Sequence, residues 1–324
     1  MKRRDLLLVV ALGLAFCPLS AIGQETKVPV VGFLITHPPV TDPVVEWFRA
    51  GLAEYGYEDG RNIRLEVRTA LGDLDRVPQL AKELVDIPAD VIVLVNDIAM
   101  RAVVEHTRTI PIVSVGYTND PLGSGWIESY RRPGSNVTGI YNVNRTLGPK
   151  RLEILKEVLP SASQVAVLYD PALGKRELHE IQKYAPRLGL QLIPVAIKSA
   201  ADLEDAFDAA AAKKASAVLL LWTPIVYLER SRVAALGLQR RIPIVCDIHP
   251  IVEEGALISL GSDAEYPFER VAFYVDRILN GTPVSDIPVE QVSKLKFVVN
   301  LKTARELDVE IPQSILLRAD EVIE

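Results

Sequence analysis

The feature that most constrains the fold of this chain is an alternation of short apolar segments with helix-like segments, which occurs twice, around residues 29–121 and 164–247. The apolar segments are near-continuous runs of Val, Ile and Leu, at 28–35, 62–67, 90–95 and 110–115, then at 164–168, 191–197, 217–222 and 242–245. Parallel strands that are covered on both faces have this pattern. Because strands that alternate with helices specify a doubly wound α/β sheet, the two series predict two parallel-sheet lobes.

The segment after residue 247 adds elements that must return to these sheets. It reads as a strand at 256–260, a helix at 266–279 and a strand at 296–300. If the helix packs on the first lobe and the last strand joins the second, the chain passes between the lobes three times, which forms a hinge that can close on a ligand. The sequence therefore predicts a first lobe of residues 24–142 plus about 261–290, and a second of 143–260 plus about 291–324.

The first residues of the chain have the features of an export signal. They contain a basic head at residues 2–4, an apolar run at 6–16 and a small-x-small sequence at 21–23. This pattern predicts a signal peptide at 1–23 that is cleaved near Gly23, and a periplasmic location for the mature protein. The apolar run is shorter than the roughly 20 residues that a membrane-spanning helix needs. Arg3 and Arg4 also fit a twin-arginine signal, so general secretion and twin-arginine export both remain open.

The charge and cysteine content of the mature chain exclude two classes of protein. Without residues 1–23, the totals of 36 basic and 42 acidic residues lose three and one, which gives a formal charge of −8. An acidic surface argues against nucleic acid as a partner. Cys246 is the only cysteine after the signal, so no intramolecular disulfide can form and stability must come from the core.

The residues that directly follow the strands are the candidate ligand-binding site. Open α/β sheets bind ligands outside the carboxyl ends of their strands. These residues are Thr36, His37, Asn96, Asp97, Tyr117, Thr118 and Asn119 in the first lobe, Tyr169, Thr223 and Asp247 in the second, and Tyr141 on the predicted crossing between them.

Aromatic residues are concentrated at these strand ends. They make up 6% of the chain, yet five lie at or beside the predicted strand ends, namely Tyr117, Tyr141, Tyr169, Trp222 and Tyr227. The concentration indicates a ligand with a flat or apolar face. Tyr and Trp also commonly cover strand ends that are exposed to solvent on one side and packed on the other. This purely structural interpretation remains open.

The sequence carries little that indicates catalysis. The histidines at 37, 106, 179 and 249 are scattered, without the spacing of a metal site, and we expect no metal. The chain has no Gly-x-Ser-x-Gly nucleophile motif, no dinucleotide fingerprint and no phosphate-binding loop, so we expect no cofactor. We therefore expect a binding protein and not an enzyme.

Several longer stretches give the chain a specific resemblance. They are FRAGL at 48–52, GRNI at 60–63, DPLGSG at 120–125, RPGSNVTG at 132–139, KRLEILK at 150–156, YVDRILNG at 274–281, NLKTA at 300–304 and RADEVIE at 318–324. With these stretches the chain resembles the bacterial ABC-transporter substrate-binding proteins of the type I periplasmic-binding fold, and is similar to the tryptophan- and tyrosine-type uptake proteins. The resemblance implies a monomer that delivers an aromatic or polar, amino-acid-like small molecule to the membrane subunits of an ABC permease and catalyses nothing.

One departure from that family concerns the third strand. The family commonly carries a Thr-Pro-Ala-like turn there, where the exposed amino-terminal end of a helix could hold a ligand carboxylate. This chain has Asn96-Asp97-Ile98-Ala99 instead. Asp97 would repel an anion, which favours a cationic or neutral polar ligand, unless it serves as a helix cap that faces solvent.

The residues suggest a binding mechanism but leave its use open. An open form is predicted to bind ligand on the first lobe through Asn96, Tyr117, Thr118 and Asn119, and to close when Tyr169, Thr223 and Asp247 complete the site. The same fold could serve as a ligand-sensing module for a membrane receptor. An exported α/β enzyme is a further alternative, and it would need a nucleophile or an acid–base pair in the cleft.

Overall fold

The strands and helices of this chain follow one another as the sequence pattern predicts, and the computed structural model describes them over residues 27–36, 43–117, 120–142, 144–263, 265–291 and 294–324. The predicted signal peptide at 1–23 lies outside the described residues, as do His37, Thr118 and Asn119. Among the described residues, no helix has the length and apolar character that crossing a membrane requires.

The described strands run in this order: β1 Val30–Ile35, β2 Arg64–Thr69, β3 Val91–Leu94, β4 Ile112–Tyr117, β5 Val137–Tyr141, β6 Gln164–Tyr169, β7 Gln191–Ala196, β8 Ala217–Leu220, β9 Ile244–Cys246, β10 Ile258–Ser262, β11 Glu290–Gln291, β12 Leu295–Asn300 and β13 Glu321–Ile323. The helices are α1 Pro43–Glu54, α2 Val77–Asp86, α3 Asp97–Val104, α4 Gly148–Val158, α5 Lys175–Tyr184, α6 Asp202–Ala212, α7 Pro224–Leu228, α8 Arg230–Gln239, α9 His249–Glu253, α10 Tyr266–Leu279, α11 Leu301–Glu306 and α12 Gln313–Leu316.

The strands form two separate sheets. The first has the order β11-β5-β4-β3-β1-β2, with every described pair parallel. The second has the order β13-β12-β10-β9-β8-β6-β7. We call each sheet with its helices a lobe. The prediction of two parallel-rich α/β sheets is confirmed, while the residue boundaries given for the lobes stay a prediction.

Apolar side chains cover both faces of each sheet, as uninterrupted Val, Ile and Leu runs require. In β1, Val31, Phe33 and Ile35 pack into one core and Leu34 packs into the core on the opposite face. Helix α2 buries Val77, Leu80, Ala81 and Leu84, which lie three and four residues apart and therefore form one stripe against the sheet.

The chain passes between the two sheets three times. It leaves β5 of the first sheet for α4, leaves β10 of the second sheet for α10, and leaves β11 of the first sheet for β12. Helix α10 packs on α1 of the first lobe so closely that a Cβ atom at Gly51 would lie 3.0 Å from the Cβ of Ala272. The three predicted crossings are therefore present.

Strand β12 differs from the parallel pattern because it runs antiparallel to β10. The end of β10, at Ser262, pairs with the start of β12, at Leu295. The chain leaves the second sheet at the carboxyl end of β10 and returns to the sheet at that same end. The returning strand must therefore run in the opposite direction. Strand β5, which lies in the region predicted to join the lobes, belongs to the first sheet.

Candidate functional site

A cavity of about 240 Å³ lies between the carboxyl ends of the strands of the two sheets. The first lobe contributes residues from the ends of β3 and β4 and from helices α1 and α10, and the second contributes residues that follow β6, β8 and β9. Asn142, Asn144 and Asp263, on two of the three connections, complete the lining. The cavity is therefore built from both lobes and from the hinge.

Aromatic side chains form opposite walls of this cavity. Trp47 and Phe268 line it from the first lobe, with ring centroids 5.8 Å apart and ring planes at 45°. Trp222 and Tyr227 line it from the second lobe. Flat aromatic walls on both sides suit a ligand with a flat apolar body.

Asn96 is the main polar group on the first-lobe wall, and its side chain is already engaged. Its Oδ1 accepts hydrogen bonds from the backbone amides of Ile98 and Ala99, both at 3.1 Å, and thereby caps α3. Its Nδ2 donates to the hydroxyl oxygen of Thr36 at 2.6 Å. Because the cap is Asn96 and Asp97 is only 4% exposed, the interpretation of Asp97 as a solvent-facing cap is wrong.

The second-lobe wall contains two carboxylates that share a fully buried guanidinium. Glu177 and Asp247 line the cavity, and Arg151 of α4 lies within 3.1 Å of the first and 3.6 Å of the second. Arg151 also donates to the carbonyl oxygens of Leu260, at 2.8 Å, and Asn144, at 2.9 Å. It thus joins the cavity-lining carboxylates to strand β10 and to the connection that contains Asn144.

The first two connections between the lobes are bonded to each other. The side-chain Oδ1 of Asn144 accepts hydrogen bonds from the backbone amide of Ser262 at 2.7 Å and from its hydroxyl at 2.9 Å. His249 lies beside them, with Nε2 donating to the carbonyl oxygen of Ser262 at 2.9 Å and Nδ1 2.7 Å from the hydroxyl of Ser259. Neutral imidazole satisfies both bonds, because Nδ1 can then accept from the hydroxyl.

Acidification is expected to destabilise the protein through His249, because burial holds the pKa of its imidazole below the usual value of 6.5. The unfolded chain takes up a proton near pH 6.5 and the folded chain does so only at lower pH. The stabilising contribution is complete above pH 6.5 and is lost as the pH falls through the folded pKa, with a slope of up to about 1.4 kcal/mol per pH unit. Urea unfolding between pH 7.5 and 5 measures this loss.

Two histidine variants test whether His249 causes this loss of stability on acidification. His249→Gln should be less stable than the wild type at pH 7.5 but should lose less stability on acidification. His179→Gln, at an exposed position on α5, should keep the wild-type pH dependence. An unchanged pH dependence in His249→Gln would show that another group is responsible.

The sequence-predicted site residues occupy different places around the cavity. Asn96 and Asp247 line it, and Asp97 lines an outer pocket that adjoins it. Thr36 is buried behind Asn96, Thr223 caps α7, Tyr141 packs against Tyr130, and Tyr169 packs against the second-lobe core. Tyr117 is the last residue of β4, and its side chain is outside the described part of the chain. The assignment of these residues to a binding site stays a prediction.

Several cavity residues could not be found by the strand-end rule, because they do not directly follow a strand. Trp47 lies in α1, Phe268 in α10 and Glu177 in the first turn of α5, whereas Asn144 lies on a connection. Trp222 and Tyr227 were noted as aromatic residues at strand ends but were not assigned to the site. The same aromatic signal, extended to the first turns of helices, would have found Trp47 and Phe268.

The outer pocket has a volume of about 430 Å³ and shares part of its lining with the cavity. Asn96, Leu173 and Trp222 border both spaces. The other described lining residues of the outer pocket are Leu74, Asp97, Ile98, Arg101, Ala172, Lys175 and Arg176. A ligand that fills the inner cavity can therefore extend into a more polar space.

The family model described as "ABC transporter substrate binding protein" matches residues 27–323, nearly the whole of the chain. The chain belongs to this family. The family consists of solute-binding proteins and not of enzymes, and the two-sheet fold with its intervening cavity is the architecture expected of such a protein. Among the described residues, no group of three or more His, Cys, Asp or Glu side chains could hold a metal ion.

Two proteins that are similar to this chain have descriptions that mention an aromatic amino acid. A tyrosine-binding protein of Clostridioides difficile is 25% identical over 282 residues, which cover 86% of this chain and 79% of the relative. A crystal structure from Streptococcus pneumoniae, described as an ABC domain in complex with L-Trp, has 26% identity and a TM-score of 0.82 and covers 91% of this chain and 99% of its own. A conserved domain protein of Vibrio cholerae has 29% identity and a TM-score of 0.82, over 91% of this chain and all of its own.

Proposed function

We propose that this protein binds an aromatic, amino-acid-like molecule between its two lobes and delivers it to the membrane subunits of an ABC permease. The observation that carries the proposal is the cavity at the carboxyl ends of both sheets, which has aromatic side chains on each wall. The protein acts outside the cytoplasm, in the periplasm, after removal of residues 1–23. It works as a monomer and needs no cofactor.

The ligand class follows from the lining of the cavity. Trp47 and Phe268 from the first lobe and Trp222 and Tyr227 from the second line the cavity and can pack on an aromatic ring. Polar groups at Asn96, Asn142 and Asp247 border the same space and can receive the polar end of an amino acid. The relatives named for tyrosine and tryptophan support an aromatic amino acid as the type of ligand.

Transport requires that the lobes separate and close, and the hinge is built for this change. Each connection is short, and two of them are tied together by Asn144 and Ser262. Because the cavity walls belong to different lobes, a bound ligand contacts both lobes only in the closed form and therefore favours it. The closed form then presents both lobes to the permease.

A thermal-shift screen of the chain from Gln24 to Glu324 tests the proposal. L-Tryptophan, L-tyrosine and L-phenylalanine are compared with L-leucine, glucose and uridine. A ligand at 100 times its dissociation constant should stabilise the native state by about 2.7 kcal/mol, and we expect this only with aromatic amino acids. If glucose or uridine alone raised the melting temperature, the proposed ligand class would be wrong.

A further inference from the structure

We propose that the outer pocket is an anion subsite, so that the ligand's aromatic body lies in the inner cavity while a carboxylate or phosphate lies against Arg101 and Arg176. This inference rests on the proposed function, because it assumes that the inner cavity receives an aromatic ligand. It adds a second recognition point and names the residues that provide it.

The charges of the outer pocket carry the inference. Arg101 reaches the pocket from α3 of the first lobe, and Lys175 and Arg176 reach it from α5 of the second. Asp97 is the acidic residue among the described lining residues, so three cationic side chains face one carboxylate. The pocket therefore attracts an anion, and it does so from both lobes.

The two arginines are available to a ligand. In the part of the chain that the structure describes, neither Arg101 nor Arg176 has an acidic oxygen within 4.0 Å, and both side chains are exposed. Some other exposed arginines are paired, as Arg61 is with Glu58 at 2.8 Å. Unpaired guanidinium groups can donate two parallel hydrogen bonds to an oxyanion.

The amino-terminal ends of the helices around the cavity also favour an anion in the outer pocket. The amides at the start of α3 are occupied by the side chain of Asn96, so a ligand anion does not find free donors there. Helix α5 begins after Gly174, which has no side chain that could cap it, and its first residues border both spaces. The positive end of the α5 dipole adds to the potential of the arginines.

Calorimetric titration of the full mature chain at low ionic strength tests the inference with three probes that share a phenol body. Tyramine has no anionic group, L-tyrosine adds a carboxylate, and O-phospho-L-tyrosine adds a phosphate. We expect the wild type to bind at least one anionic probe more tightly than tyramine. The double variant Arg101→Gln/Arg176→Gln should lose at least tenfold in affinity for that probe and less than twofold for tyramine.

A control variant separates a local effect from a change in total charge. Arg61→Gln/Arg187→Gln removes the same charge from exposed positions outside the pocket and should leave all affinities unchanged. A loss shared by both anionic probes identifies a carboxylate subsite, and a loss confined to O-phospho-L-tyrosine identifies a phosphate subsite.

Two results would overturn the inference while leaving the proposed function in place. One is that the wild type binds tyramine at least as tightly as both anionic probes. The other is that the double variant binds the anionic probes as the wild type does, or loses tyramine to the same extent. If the wild type bound none of the three probes or the aromatic amino acids, the proposed ligand class would fail, and the inference with it.

Discussion

Replacing Arg151 with methionine is expected to lower the free energy of unfolding by about 3–5 kcal/mol, because it takes the guanidinium away from two buried carboxylates. Glu177 and Asp247 are 4% and 5% exposed, so the loss of the Arg151 countercharge occurs in a region of low dielectric. The carbonyl oxygens of Leu260 and Asn144 also lose their donors. Methionine fills part of the space but supplies no hydrogen bond.

Denaturant unfolding measures this loss, and the preceding residue provides the control. Lys150 pairs with Glu153 at 2.8 Å, but its side chain is half exposed, so Lys150→Met should change the free energy of unfolding by less than about 1 kcal/mol. Affinity for the ligand should also fall in Arg151→Met, since both carboxylates line the cavity. A destabilisation by Arg151→Met no larger than that of the control would contradict the role assigned to this cluster.

Gly261→Ala is expected to destabilise the protein by about 3 kcal/mol, at the upper end of the cost of overpacking. A Cβ atom at this position of β10 would overlap the carbonyl oxygen of Asp247 on the neighbouring chain segment, closer than the 3.0 Å that real Cβ atoms keep. The overlap is with backbone, so no side-chain rotation relieves it. Asp247 must move, and ligand affinity should fall together with stability.

Another strand glycine provides the comparison for Gly261→Ala. Gly116 lies in β4, and a Cβ atom there would meet its nearest neighbour at 3.7 Å, an ordinary contact distance. Gly116→Ala should therefore change the melting temperature little, whereas Gly261→Ala should lower it by several degrees. Equal melting temperatures for the two variants would show that β9 and β10 can separate without cost.

The parts of the site that could be predicted from the sequence are those where a strand ends. Asn96 and Asp247 follow directly after buried apolar runs, and the rule that parallel sheets bind ligands at the carboxyl edge was sufficient to select them. Trp47, Phe268 and Glu177 lie in helices. Whether a helical side chain faces the core or the cleft depends on how the helix docks, which the sequence pattern does not contain.

The fold, like the site, could be predicted only in part from the sequence. The two series of apolar runs were sufficient to predict two sheets. The direction of β12, however, depends on the end of the second sheet at which the chain re-enters it from the hinge. The cap of α3 could not be decided either, since Asn96 and Asp97 are adjacent and both residue types cap helices. In each case the deciding contact is tertiary.

Calorimetric titration of an aromatic amino acid into three tryptophan variants tests most directly whether the ligand lies between the lobes. Trp47 and Trp222 line the cavity from opposite lobes, while Trp126 packs against the first-lobe core outside the cavity lining. We predict that Trp47→Ala and Trp222→Ala each weaken binding at least tenfold, about 1.4 kcal/mol or more, and that Trp126→Ala leaves affinity unchanged. Loss of affinity in only one of the two cavity variants would place the ligand on a single lobe and contradict capture between them.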